Sequence, residues 1–287
     1  MTSWPNRFLI IDGYSQASRD DFQAAGMSLG STLYARMLNR CLPDAQYAVW
    51  LPSEDSNPPE GTGPEDYLAV LWTGSNLNVY HRDNLTVVRQ IEFAAQTYAA
   101  GTPAFGSCWG LQVAVTAAGG EVSPNPRGRE IGFARGIQLT REGRNHPMLE
   151  GKPPVFDNFS SHLDEVTKLP SGSVVLAGNS YSRVQAVEIR HKKGMFWGVQ
   201  YHPEFDLHEM GRLLTARARN LLDEQFFREP EDLARYVEKL EALDREPHRK
   251  DLRWELDVDD HLISVERRQL EFRNWIHKIV LPRAAGA

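Results

Sequence analysis

Cysteine is the scarcest reactive residue here. Only Cys41 and Cys108 occur in 287 residues, so neither a disulfide framework nor a cysteine zinc site is expected. No apolar run approaches the ~20 residues of a membrane-spanning helix. The opening Met1-Thr2-Ser3-Trp4-Pro5-Asn6-Arg7 does not read as a secretory leader. Positive charge is not in excess: 32 Lys and Arg stand against 38 Asp and Glu, a formal net charge of −6. That balance gives no electrostatic footprint for nucleic acid or for an anionic membrane. The nine histidines are scattered without metal-ligand spacing. No Gly-Lys-Ser/Thr phosphate loop occurs, and Gly26-Met-Ser-Leu-Gly30 lacks dinucleotide-fingerprint spacing. These absences predict a soluble, cytoplasmic protein with no metal, nucleotide cofactor, nucleic acid or membrane to bind.

What is present centres on residues 103–112, Pro-Ala-Phe-Gly-Ser-Cys-Trp-Gly-Leu-Gln. A short apolar strand runs into Gly106-x-Cys108-x-Gly110, with an Ala/Val/Leu-rich helix behind it. This is the nucleophile-elbow pattern with cysteine in the serine position. The flanking glycines suit a crowded turn that can demand positive φ. The helix N-terminus offers free N–H groups and a positive dipole end to a thiolate and to a tetrahedral oxyanion. A second apolar segment, residues 195–201, ends in His202-Pro203-Glu204. Residues two apart on an extended segment share a side, so His202 can face the thiol with Glu204 behind the imidazole. That is nucleophile, base and orienter.

These two motifs, with Asn158-Phe-Ser-Ser161-His162-Leu163-Asp164-Glu-Val166 between them, resemble the class I (triad-type) glutamine amidotransferase family. Within it the third motif is similar to the Ser-His-Gly-Asp-x-Val segment of the GMP synthase amidotransferase domain. The resemblance runs from about residue 7 to about residue 225. It implies that Cys108 attacks a glutamine side-chain amide, His202 is general base and then acid, and Glu204 orients it. It implies one oxyanion donor from the Trp109 backbone and another from the loop Gly74-Ser75-Asn76. Gln112 and Ser161-His162-Leu163 would hold the substrate. Two positions depart from the family: Gly74-Ser75-Asn76-Leu77 lacks the usual proline, and Leu163 stands where the family has glycine. Both belong to the substrate side.

The element order predicts an α/β fold with an open, mostly parallel sheet and flanking helices. Strands are expected at Arg7–Asp12, Gln46–Trp50 and Tyr67–Trp72, with helices over Arg19–Arg40 and Leu85–Ala100. A Pro-, Ser- and Gly-rich loop should span Pro52–Pro64. Gly74, Cys108 and His202 all follow strand ends, where such sheets bind ligands. Beyond residue 120, Ile131–Leu139, Val174–Gly178 and Val184–Arg190 suggest antiparallel additions, with His191-Lys-Lys-Gly194 as a hairpin turn. Cys41 reads as packing.

Residues 1–227 are expected to form the catalytic domain and 228–287 a charged, amphipathic helical extension. Of those last 60 residues 26 are charged, so their outer faces should be solvated. Leu233, Tyr236, Val237, Leu240 and Leu243 lie at helical spacing, as do Phe272, Trp275, Ile276, Ile279 and Val280, with a break at 246–250. The stripes read as packing on the catalytic domain; the other reading gives Trp254, Phe272 and Trp275 to a homodimer or partner surface.

The chain thus reads as a stand-alone amide hydrolase working through a γ-glutamyl thioester on Cys108. Glutamine is the leading substrate, with ammonia delivered to a separate synthetase subunit. The alternative is a γ-glutamyl peptidase or amidase acting on a glutamyl conjugate, which the missing proline and Leu163 favour. A non-catalytic relative is a third reading, opposed by the intact Cys108, His202 and Glu204.

Overall fold

The computed structural model describes residues 7–59 and 62–285; all but Arg7 of the N-terminal stretch read above for a leader lies outside these, as do two residues of the 52–64 loop. The chain opens with β1 (Arg7–Ile11), α1 (Gln16–Ala25), α2 (Gly30–Cys41) and β2 (Gln46–Trp50). There follow β3 (Ala69–Trp72), α3 (Leu85–Ala100), β4 (Ala104–Ser107) and α4 (Trp109–Ala117). The next strands are β5 (Glu121–Pro124), β6 (Glu130–Leu139), β7 (Val155–His162), β8 (Asp164–Lys168) and β9 (Ser173–Gly178). The hairpin β10 (Ala186–His191) and β11 (Gly194–Val199) closes the strand series.

Nine strands form one sheet in the order β2-β1-β3-β4-β11-β10-β9-β6-β7, and β5 pairs with β8 in a small second sheet. The strands from β2 to β11 are mutually parallel; those beyond β11 run antiparallel to their neighbours. The central strands are almost wholly apolar (Phe8-Leu-Ile-Ile, Ala69-Val-Leu-Trp) and buried on both faces, as a helix-covered parallel sheet requires. The carboxyl ends of β1, β3, β4 and β11 therefore lie side by side, and the candidate residues follow them.

The single helix expected over 19–40 is two helices. Gly26 caps α1 in the left-handed region at φ 77°, its N–H bonded to the Gln23 and Phe22 carbonyls. The break lets α2 begin against β1, where Ser31 N–H donates to Asp12 Oδ2 at 2.9 Å. The hairpin turn at 191–194 is as expected.

The remaining helices are α5 (Leu207–Ala216), α6 (Ala218–Asp223), α7 (Pro230–Arg245), α8 (Lys250–Leu256), α9 (Asp260–Ile263), α10 (Val265–Arg268) and α11 (Leu270–Trp275). A π-helical turn at Ile276–Val280 leads to α12 (Leu281–Ala285). The α7 stripe Leu233, Val237, Leu240 and Leu243 packs with Met210, Leu213 and Leu214 of α5. Phe272, Trp275, Ile276 and Val280 share a core with Phe105, Trp197, Val199 and Tyr201 of the sheet. Phe272 meets Phe105 edge-on at 5.3 Å. These two aromatics are thus inside the chain and not at a dimer surface; Trp254 is 89% exposed. Among the described residues no helix is long and apolar enough to cross a membrane.

Candidate active site

Cys108 occupies the junction of β4 and α4 at φ 48°, ψ −101°. An L residue rarely adopts such a backbone, and holding one there costs ~1–3 kcal/mol. The strain falls on the cysteine itself. Gly106 and Gly110, expected to supply positive φ, do not have it; they are needed for close approach. A Cβ on Gly110 would lie 2.6 Å from Trp72 Cβ, and one on Gly106 would lie 2.9 Å from the Phe196 ring. The turn is tied down by Cys108 N–H donating to the Val199 carbonyl at 2.8 Å.

Val199 ends β11, and His202-Pro203-Glu204 lies beyond it in an irregular turn. The side-by-side placement expected on an extended strand is therefore not what joins the pair. Glu204 reaches back across Pro203, and His202 Nδ1 lies 2.7 Å from Glu204 Oε1. Phe205 stacks on the imidazole at 4.3 Å, with the rings 3° from parallel. Burial alone would lower the pKa of His202. The Glu204 carboxylate outweighs it, together with the hydrogen-bonding and charge influence of Cys108, and the imidazole is raised to about 10. It therefore holds its second proton at neutral pH.

The same Glu204 oxygen accepts from Ser107 Oγ at 2.9 Å. Ser107 in turn accepts from Tyr34 OH at 2.7 Å, and Ser107 N–H donates to that phenol oxygen at 2.9 Å. Burial first, and then Glu204, hold the Tyr34 phenol well above its ordinary pKa, so it stays a donor.

Gly74 follows β3 and lies against the imidazole: a Cβ there would sit 2.8 Å from His202 Cε1 and 2.8 Å from Tyr14 OH. Ser75 Oγ donates to the Gly13 carbonyl at 2.7 Å, tying this loop to the one after β1. The amides of Gly74, Ser75 and Trp109 have no hydrogen-bond partner among the described residues. The Trp109 side chain is turned inward, with its Nε1 donating to Gln90 Oε1 at 2.8 Å.

Cys108 opens into a cleft of about 280 Å³. Ser75, Gln112, Ser161, His162 and Leu163 line it, whereas Gly74 and Trp109, each adjacent in sequence to a lining residue, are not among the residues that do. Gln112 Nε2 donates to the Asp164 carbonyl at 3.3 Å and to Gln200 Oε1 at 3.4 Å. The Ser161 carbonyl lies 3.6 Å from Cys108 Sγ. His162 is held from behind, Nε2 against Glu130 Oε2 at 2.8 Å and Nδ1 against the Asp164 carbonyl at 2.9 Å. Glu130 is buried, yet hydrogen bonds from His162, Asn179 and Gln185 hold its pKa below the ordinary carboxylate value. Among the described residues no three His, Cys, Asp or Glu side chains are grouped to hold a metal ion.

Several cleft residues were not singled out in the sequence. Tyr14 follows β1, a position that the strand-end rule could have flagged. Burial, then the nearby Cys108 charge, raise its phenol pKa. Asn78 lines the cleft and donates to Asp164 at 2.7 Å, supported from outside the cleft lining by Tyr80, which donates to Asp164 at 3.2 Å. Arg129 lines the cleft already paired to Glu224 at 2.8 Å. Arg217 and Asn220, from α6 and the residue before it, come from a stretch with no motif. The Arg217 guanidinium lies over the Phe22 ring at 5.2 Å and has no carboxylate partner among the described residues.

The chain matches the family "Glutamine amidotransferase class-I" over residues 65–219. It is 37% identical over 284 residues to a γ-glutamyl-L-1-hydroxyisopropylamide hydrolase of a Pseudomonas species, an alignment covering 97% of this chain and 94% of that protein. A glutamine-hydrolysing GMP synthase of Thermosipho africanus is 32% identical over 178 residues, covering 62% of this chain but 32% of the synthase. A glutamine amidotransferase of Thermotoga maritima, solved as a crystal structure, shares the fold with a TM-score of 0.66 at 18% identity, covering 96% of this chain and 97% of that one.

Proposed function

This chain belongs to the class I glutamine amidotransferase family, and within it we propose that the protein hydrolyses the side-chain amide of a γ-glutamyl compound. The observation that carries the chemistry is the arrangement of Cys108 at the N-terminus of α4 beside a His202–Glu204 pair. The substrate class is supported by the likeness, nearly end to end, to a γ-glutamyl amide hydrolase. A second reading, free glutamine hydrolysed for a synthetase partner, draws on the likeness to GMP synthase over the shared region. Residues 1–227 are then the catalytic domain and 228–287 an extension folded onto it.

In this reading the Cys108 sulfur adds to the γ-carbonyl carbon. The developing oxyanion is met by the backbone N–H groups of Trp109 and of the Gly74-Ser75 loop. The C–N bond breaks as His202 gives its proton to the departing amine, leaving a γ-glutamyl thioester. Water then adds to the thioester while His202 takes a proton from it, and the C–S bond breaks to release glutamate and the thiol. Glu204 fixes the imidazole orientation and stabilises its charged form. Arg217, a cation at the cleft with no carboxylate partner among the described residues, is assigned to the α-carboxylate of the glutamyl unit.

The test is to trap the thioester. Acid quenching during turnover of γ-glutamyl isopropylamide should give a peptide containing Cys108 that is heavier by one glutamyl group, detected by mass spectrometry. Glutamyl adducts on no cysteine, with steady amide cleavage, would contradict this mechanism.

A further inference from the structure

Gln269 lies between α10 and α11, well outside the family match, and it is buried. Its Nε2 donates at 3.1 Å to the carbonyl of Pro203, the residue that separates His202 from Glu204. That carbonyl is buried and has no other hydrogen bond among the described residues. Gln269 is itself oriented from its other end, where Arg40 Nη1 donates to its Oε1 at 3.3 Å.

Neighbouring residues grip the same stretch. The Arg268 carbonyl accepts from Lys152 Nζ at 3.0 Å and from Asn158 Nδ2 at 3.5 Å. Lys152 Nζ also pairs with Glu271 at 2.8 Å, both side chains being fully buried. Glu271 faces the phenol of Tyr201, the residue just before His202. From the sheet side, the Phe159 carbonyl accepts the His202 N–H at 2.8 Å. The His202-Pro203-Glu204 turn is thus held by the sheet through Phe159 and Ser107 and by the C-terminal segment through Gln269, with Glu271 beside the preceding Tyr201.

Proline has no N–H, so Pro203 offers the turn a single backbone polar group, and Gln269 satisfies it. We propose that Gln269 is a positioning residue for the His202–Glu204 pair, so that the C-terminal helices complete the catalytic site in cis. The proposal rests on the reading of His202 as the proton carrier. A base displaced by ~1 Å costs a factor of about 10² in rate, whereas substrate affinity set by other residues should stay.

The test uses the full chain with Gln269→Leu, which removes the donor, and Gln269→Glu, which keeps the shape and the Arg40 partner. Hydrolysis of γ-glutamyl-p-nitroanilide is measured alongside the rate of iodoacetamide alkylation at Cys108, read by peptide mass spectrometry. Both variants should lower kcat by ~10- to 100-fold with KM within ~2-fold of the parent, and both should slow Cys108 alkylation while melting near the parent temperature. If Gln269→Leu does not fold, Gln269→Glu decides. A folded Gln269→Glu with parental kcat and parental alkylation overturns the proposal. If the parent cleaves no γ-glutamyl amide, the functional reading falls, and alkylation alone decides whether Gln269 positions His202.

Discussion

Ser107 Oγ donates to Glu204 Oε1 at 2.9 Å, and Ser107 is the residue immediately before Cys108. The strand that delivers the thiol thereby also holds the carboxylate that orients the imidazole. With Tyr34 behind Ser107, a hydrogen-bonded chain runs from α2 through β4 to His202.

Removing one link of this chain should reduce rate before it reduces stability. Ser107→Ala leaves a buried carboxylate short of a donor, a loss of about 1–3 kcal/mol for a charged acceptor. Part of that appears as a lower kcat. His202→Ala should cost about 10²–10⁴-fold in kcat, and Glu204→Gln should cost less, because Glu204 moves no proton. Steady-state kinetics on the folded variants checks the order; a Glu204→Gln as inactive as His202→Ala would require a proton-transfer role for Glu204.

The pH dependence follows from His202. Its folded pKa, about 10, is above the unfolded value of 6.5. The stabilisation this represents is fully present below pH 6.5 and is lost as pH rises through 10. The departing amine needs the imidazole proton, so kcat should decline on the alkaline side with an apparent pKa near 10. A pH–rate profile that already falls through pH 7 would contradict the charged imidazole.

Arg217→Met tests the substrate end of the cleft. It removes the cation without disturbing Cys108 or His202, so KM for a γ-glutamyl amide should rise ~10-fold or more with kcat little changed. A substrate analogue lacking the α-carboxylate should be insensitive to the change. Unaltered KM for the natural-type substrate would remove Arg217 from binding.

Much of this architecture was legible because the apolar strands and the Gly-x-Cys-x-Gly turn carry their patterns locally. What was not legible had tertiary causes. The buried residues of β7 include Asn158, Ser160 and His162, each engaged by a polar partner, so apolar–polar alternation is absent from that strand. The apolar spacing over 19–40 concealed the Gly26 cap, since one glycine interrupts a helix only when its context asks for positive φ. Tyr34, Gln269 and Arg217 reach the site from elements far away in sequence, with no motif around them. The positions of Phe272 and Trp275 could be read as apolar stripes, but their partner, the sheet around Phe105, could not.

Trp275 should therefore matter for stability far from the chemistry. It is fully buried and meets the Phe105 ring at 5.8 Å. Trp275→Ala should cost about 3–5 kcal/mol, seen as a lower midpoint in denaturant. A midpoint within error of the parent would mean that the C-terminal helices do not share the sheet's core.

The most direct measurement is steady-state kcat/KM for the purified chain alone, with γ-glutamyl isopropylamide and free glutamine compared in the same assay of glutamate release. The account predicts brisk turnover of the γ-glutamyl amide without any partner protein, at least ~10-fold above glutamine, and loss of both activities in Cys108→Ala. Efficient hydrolysis of glutamine with no turnover of the substituted amide would contradict it.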